Sequence, residues 1–343
     1  MGALVTSALA AFEEAPEAAR TIVTVIGGGT GSFHVLTGLR ELDLDVRSIV
    51  TMMDSGGDSG RLRDEFGVLP PGDLRRCLVA LSDESALLRD LFSFRFSEAP
   101  LAGRSFGNLF LLALTRMLGS EREATQAAVR LLRIRGRVIP VTWDHAHLRA
   151  ELADGSRIEH EAGFADPARD PSVAIERVFL APRARANPDA LETIRDSAFV
   201  ILAPGDLYSS TIPNLLVEGI PEALQSATGR LVYVQNLMSR RGETHGYKAS
   251  RYVEEIARYA GRLPDAVVVH RGAIPDDLAR RYAAEEAHPV EIDLAALRAL
   301  GAMLVHEADL LSDTPLVRHD PARTADALAR LFVRLGPYAP RSR

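Results

Sequence analysis

The chain has 343 residues, 47% of them hydrophobic and 25% charged, and a formal net charge of −6. This mix excludes disordered, collagen-like and coiled-coil classes and is that of a globular protein with a substantial core. The mildly acidic balance argues against a surface that coats nucleic acid, so no nucleic-acid partner is expected.

Residues 1–20 hold a short apolar run with no Lys or Arg before it, and Glu13 and Glu14 follow directly. That pattern reads as a flexible extension and not as a secretory leader. No run reaches the roughly 18 apolar residues a membrane span needs. A cytoplasmic location without membrane insertion is therefore expected, with residues 21–337 forming one domain. Cys77 is the single cysteine, which excludes an internal disulfide and a thiolate zinc cage. It is expected as a small buried apolar residue.

Along the chain, Val- and Ile-rich runs alternate with helical patterns. This predicts a Rossmann-like, doubly wound α/β fold, with a mostly parallel sheet and helices on both faces. The first strand, Thr21–Ile26, runs into Gly27-Gly28-Gly29-Thr30-Gly31-Ser32, and a helix is predicted over Phe33–Glu41. Glycines there let the backbone approach a ligand, while the helix N-terminus offers unpaired N–H groups to an anion. Gly28, Gly29, Thr30, Gly31 and Ser32 are thus candidate phosphate or nucleotide ligands. The string lacks the Walker lysine, and Ser32 stands where the dinucleotide fingerprint needs its last glycine.

The second strand, Arg47–Met53, leads into Asp54-Ser55-Gly56-Gly57-Asp58-Ser59-Gly60-Arg61-Leu62-Arg63-Asp64-Glu65, read as a loop at the same carboxyl edge of the sheet. Ser55, Gly56, Gly57 and Ser59 offer hydroxyls and close backbone approach, and Arg61 and Arg63 a fork for phosphate. Asp54 and Asp58 are candidates to hold a divalent ion or sugar hydroxyls. Pro70 and Pro71 stiffen the approach to a helix over Leu74–Ser82, with Asp73 at its N-cap position. Gly107-Asn108 caps or binds at the start of a helix over Asn108–Leu118, and another helix follows over Glu123–Arg135.

A strand over Arg137–Val141 precedes an antiparallel hairpin, Leu148–Leu152 and Arg157–Glu161 around Asp154-Gly155, which reads as a small insertion. Val173–Leu180 is predicted as a further strand of the parallel sheet, and a helix spans Pro188–Ser197. After the strand Ala198–Leu202 comes a polar loop in which Gly205, Asp206, Tyr208, Ser209, Ser210 and Thr211 are equipped for a diphosphate or a sugar. Asn236 and Gly242–Tyr247 follow the strand Arg230–Val234 in the same way. A helix over Ser250–Ala260 and a strand over Ala266–Val269 come next. Arg318-His319-Asp320-Pro321 opens a final helix, Pro321–Leu335, with Asp320 as N-cap. Of the nine histidines none forms a metal-ligand pair on a helix face, His145 and His147 coming nearest, and no nucleophile elbow is present.

Taken in order, GGGTGS, VTMMDSGGDSGRLRDEFGVLPPGDLRRCLVAL, FGNLFLLALT, GDLYSSTIPNLL, YVQNLMSRRGETHGYKAS and LVRHD resemble the gluconeogenesis factor (YvcK) family. That family is the CofD-like branch named after 2-phospho-L-lactate transferase, and the resemblance spans about residues 22–335. It implies a Rossmann-like core in a bacterial protein tied to carbon metabolism and to cell-shape or envelope control. It also implies binding of a nucleotide sugar such as UDP-N-acetylglucosamine, with no cofactor required. By the same resemblance the glycine string and Asp54–Arg63 line the nucleotide site, Gly205–Thr211 cradle the diphosphate, and Arg318 is a further ligand.

The transferase branch instead moves a phospho-2-hydroxyacyl group from a guanosine diphosphate-linked donor to a deazaflavin alcohol, with Mg²⁺. If this chain were such an enzyme, Asp54, Asp58 and Asp73 would be the catalytic candidates and Asp54 and Asp58 the metal ligands. Met53-Asp54-Ser55 also departs from the gluconeogenesis-factor pattern, where an Ala-Asp-Asp type string is usual, and the loss of one of two adjacent carboxylates weakens a metal role for this loop. A dinucleotide-dependent oxidoreductase is the third reading, disfavoured by Ser32. A homodimer is expected only because two-fold assembly is common.

Overall fold

The computed structural model describes residues 20–336, so the predicted extension lies, apart from Arg20, outside the described residues. The strands are β1 (Thr21–Gly27), β2 (Leu44–Val50), β3 (Arg137–Pro140), β4 (His147–Leu152), β5 (Arg157–Ile158), β6 (Ile175–Ala181), β7 (Phe199–Leu202), β8 (Arg230–Val234), β9 (Ala266–His270) and β10 (Leu304–Ala308). Seven of them form one sheet in the order β10-β9-β8-β7-β1-β2-β3, and all neighbours run parallel. The helices that shape the site are α1 (Gly29–Leu39), α2 (Gly57–Phe66), α3 (Pro71–Leu81), α4 (Ala86–Ser93), α5 (Phe106–Leu118), α6 (Glu121–Leu131), α7 (Pro188–Asp196), α8 (Ala249–Ala260) and α9 (Pro321–Leu335). This is the doubly wound architecture that the sequence pattern predicts.

The apolar strands bury both faces. Val23 and Val25 of β1 enter a core shared with Leu36, Leu78 and Leu328, whereas Ile26 enters the opposite core with Ile49, Leu202 and Tyr233. Alternation of side chains along a strand explains why these runs are apolar throughout.

Val173–Leu180 departs from its predicted place. It forms β6 in a separate antiparallel sheet, β5-β4-β6, with Leu148 opposite Leu180 and Ala150 opposite Val178. Its exposed Glu176 and Arg177 face solvent, as suits a sheet covered on one side only. The inner side packs Leu148, Leu152, Ile175 and Leu180 onto the first core, and the Val178 N–H donates to Tyr259 Oη of α8 at 3.1 Å.

Several elements lie outside the predicted set, among them α2, which replaces an expected loop, α4, and β10, which carries His306 and Glu307 in place of an apolar run. α9 begins as predicted: Asp320 Oδ1 accepts from the Arg323 N–H at 2.8 Å, with Pro321 at the first helical position. Cys77 is fully buried and inert, its thiol pushed up to about 12 by burial.

α9 clamps the sheet through Phe332, whose ring stacks on Phe199 of β7 with centroids 4.1 Å apart. Both rings are fully buried. Phe332→Ala is expected to destabilise the fold by about 3–5 kcal/mol through lost contact and a residual cavity. Urea unfolding of the variant against the parent chain measures it.

Candidate functional site

Connections leave β1 toward β2 on one side and β7 toward β8 on the other, so the loops that follow these two strands part and leave a crevice. The glycine string is itself the first turn of α1, which begins at Gly29 and not at Phe33. Gly29 has φ +68°, a left-handed conformation that favours glycine. Gly31 is glycine for a different reason: a Cβ there would lie 1.8 Å from the carbonyl oxygen of Pro204. The helix therefore presses directly on the loop after β7, with its N-cap Gly28 supplying no side-chain cap to the first N–H groups. Ser32 is buried beneath this turn, its hydroxyl under Gly27, and it supports the turn without facing the crevice.

The crevice has two compartments. One, of about 270 Å³, has Asp54, Asp73 and Glu161 on its walls together with Arg75, Arg76 and Arg95. The other, of about 380 Å³, is bounded by Gly28–Gly31, His34, Gly205, Asp206, Asn236 and Arg318. Gly29, Arg76 and Ser210 line both, and so mark where they join.

The stretch after β2 behaves differently from the loop expected of it. Gly67 closes α2 in a left-handed cap with φ +64°. The helix sends Arg61 outward, exposed beside Gly103, and turns Arg63 inward, where its Nη2 donates to the Ala146 carbonyl at 2.5 Å. Neither lines the crevice, so the predicted phosphate fork does not form there. Its place is taken by Arg76 of α3, whose Nη1 lies 3.2 Å from Asp73 Oδ1 and whose side chain is otherwise half exposed. Sequence reading passed over Arg76; the signal was its position three residues after Asp73, which puts both on one helix face.

Asp73 is not an N-cap. The helix starts at Pro71, and Asp73 turns its carboxylate to accept a backbone hydrogen bond from Gly29. Burial and the neighbouring Asp54 push its carboxyl up to about 6. Glu161 arrives from the short turn after β5, accepting from the Ser55 N–H at 3.1 Å and, more weakly, from the Ser55 hydroxyl. Burial and Asp54 push it up to about 7. No local signal links Glu161 to Ser55, 106 residues earlier.

Asp58 has no free oxygen. It accepts from the Ser105 N–H at 2.9 Å and from Asn108 Nδ2 at 2.8 Å, with Arg104 at 3.4 Å. Asn108 Oδ1 in turn accepts from Arg75 Nε at 3.0 Å. These groups fasten α2, α3 and α5 into one wall, and the cap of α5 is Ser105, not Gly107-Asn108. Of the predicted metal pair, Asp54 stands beside Asp73 and Glu161, whereas Asp58 lines the same compartment with both its oxygens engaged by the protein. Among the described residues no group of three His, Cys, Asp or Glu side chains is spaced to hold a metal ion. Gly56, Gly57 and Ser59 do line the first compartment.

The loop after β7 is held by a buried carboxyl group of its own, which burial and the neighbouring Asp206 push up to about 8. Glu243 accepts from the N–H groups of Tyr208 at 3.0 Å and Ser209 at 3.1 Å, and from the Ser209 hydroxyl at 2.7 Å. Of the cradle predicted for a diphosphate, the Tyr208 and Ser209 N–H groups are thus taken by Glu243, while Gly205, Asp206, Ser209 and Ser210 line the crevice. Tyr208 is buried, its hydroxyl 3.0 Å from Tyr247 Oη, and Thr211 is buried behind Gly205. Asn236 is held by donating to the Gly205 carbonyl at 2.6 Å and accepting from Tyr233 Oη at 3.0 Å. Arg318 is exposed at the rim with no ion pair among the described residues, and its charge together with burial lowers the pKa of His34.

Residues 23–311 match the family described as 2-phospho-L-lactate transferase CofD. The chain belongs to the CofD family. Within it, the chain is similar to the gluconeogenesis factor of Bacillus subtilis, at 36% identity over 90% of this chain and 98% of that protein. The gluconeogenesis factor of Halalkalibacterium halodurans is 38% identical over 89% of this chain and 95% of its own length. A crystal structure of a UPF0052 family member from Bacillus halodurans superposes with a TM-score of 0.86 at 37% identity, covering 91% of this chain and 99% of that one. As a CofD-family member aligned with these two gluconeogenesis factors over 95% and 98% of their length, the chain has a regulatory or CofD-like role. Among the described residues no helix is long and apolar enough to cross a membrane.

The raised carboxyls set a pH dependence. Asp73 and Glu161 hold protons more tightly folded than unfolded, so stability is greatest below their unfolded values and falls as pH rises through the folded ones. The melting temperature of the ligand-free protein is expected to decline between about pH 4 and pH 7. Glu161→Gln should flatten that decline, as thermal denaturation across the range would show.

Proposed function

We propose that this CofD-family chain is a nucleotide-sugar-binding regulatory protein of the gluconeogenesis factor type, with UDP-N-acetylglucosamine representing its ligand class. In this role it links carbon metabolism to cell-shape and envelope control. The observation that carries the reading is the joint between the two compartments, where Arg76 meets the N-terminus of α1, whose Gly29 N–H already donates to Asp73 and whose N-cap Gly28 offers no side chain to the others. A guanidinium and a helix N-terminus together suit a diphosphate. Asp54 and Glu161 on one side offer acceptors for sugar hydroxyls, while Asn236 and Arg318 on the other offer polar contacts for the nucleoside. Binding of this kind needs no metal.

A specific observation also supports a transferase reading. Asp73 and Glu161, at about 6 and about 7, are placed to exchange protons near neutral pH. In that reading Asp54 would hold Mg²⁺ together with substrate phosphates, and the ion would supply charge stabilisation to the transferring group while Asp73 and Glu161 handle the proton. Arg76 and Arg95 orient the donor.

Thermal-shift measurements with UDP-N-acetylglucosamine, UDP-glucose, GDP and GTP, each with and without Mg²⁺, separate the two. A ligand at about 100 times its dissociation constant adds about 2.7 kcal/mol of stability. A UDP-sugar-selective, metal-independent shift is expected; a guanine-selective shift that needs Mg²⁺ would favour the transferase. No shift with any nucleotide would overturn both. Arg76→Ala and Arg318→Ala should each weaken binding by about 1–3 kcal/mol, whereas Arg61→Ala, outside the crevice, should leave it unchanged.

A further inference from the structure

Away from the crevice, the outer edge of β3 forms the floor of a groove of about 390 Å³. β3 ends the sheet, so no strand covers this side. α6 makes one wall with Arg122 and Arg130, and the start of α7 the other with Asp189. Arg137 stands at the head of β3, Ile139 lies along the floor, and half-buried Trp143 closes one end. The groove shares no lining residue with either compartment of the crevice.

Its charges do not balance. Arg122 reaches Asp189, the one carboxylate in the lining, at 3.5 Å. Arg130 and Arg137 are exposed and have neither an ion pair nor a side-chain hydrogen bond among the described residues. Two unmatched guanidinium groups therefore line one concave surface with an apolar floor and an indole wall, in a chain whose net charge is −6. Guanidinium groups pair with phosphate or carboxylate through directed N–H donors, and an indole face accepts a flat apolar body.

We infer that this groove is a second binding site, for a small organic anion that carries a phosphate or carboxylate on an apolar or aromatic body. The head group is held between Arg130 and Arg137, with the body against Ile139 and Trp143. This reading does not depend on what the crevice binds.

Trp143 is the only tryptophan of the chain, so intrinsic fluorescence reports directly on the groove. Titrating the full chain with phenyl phosphate and with benzoate is expected to give a saturable fluorescence change, the tighter of the two assigning the head group. Phenol, the same ring without the charge, should give none over that range. The Arg130→Ala/Arg137→Ala double variant should lose about tenfold or more in affinity while melting at the parent temperature, because both side chains are exposed. Equal affinity in the double variant, a response to phenol matching that to phenyl phosphate, or no saturable response to either anion would overturn the assignment.

Discussion

The carbonyl oxygen of Pro204 sits where Gly31 would carry its side chain, 1.8 Å from an ideal Cβ. Much of the site follows from that contact. It brings the first turn of α1 against the loop after β7, at the point where the sheet changes direction. With α1 in place, the Gly29 N–H finds Asp73, and Asp73 in turn holds Arg76 at the joint of the two compartments. A helix set back by even a methyl group would break this chain of contacts, since close-packed interiors do not deform continuously.

The second theme is how the crevice manages charge. Asp58 and Glu243 look like ligand groups in the sequence, yet both are spent on the protein. Asp58 ties three helices together through Ser105 and Asn108, and Glu243 occupies the N–H groups of Tyr208 and Ser209. A buried carboxyl group whose oxygens accept several directed hydrogen bonds orders a loop without needing a bound ligand. The charged groups left facing the crevice include Asp54, Asp73 and Glu161 with Arg75 and Arg95 on one side, Arg76 at the joint, and Asp206 and Arg318 on the other. Burial of the first set raises Asp73 and Glu161, so the site holds proton-sensitive acceptors beside permanent cations.

The antiparallel sheet contributes more than its size suggests. Packed on one face of the core, it delivers Glu161 across the mouth of the first compartment to Ser55. A hairpin that reads as a surface insertion thereby becomes a wall of the site.

Local pattern determined the α/β class, the ends of β1, β7 and β8 to within a residue or so, the cap at Asp320, the buried Cys77, and the edge of the sheet on which the glycine and polar loops gather. Those features depend on side-chain alternation, capping and turn chemistry, which act over a few residues and are written in adjacent letters. The family resemblance, too, was legible from motif order alone. What only tertiary structure decided is which polar residues face the crevice. Arg61 and Arg63 point away because the stretch carrying them coils into α2, whose helical start no apolar periodicity announces. Arg76 points in because Asp73 answers to Gly29, more than 40 residues back. Val173–Leu180 joined the smaller sheet because its pairing with His147–Leu152 is a long-range choice between two apolar surfaces. The direction of a side chain and the partner that satisfies it are set by contacts between distant segments, and these exist only once the chain has packed.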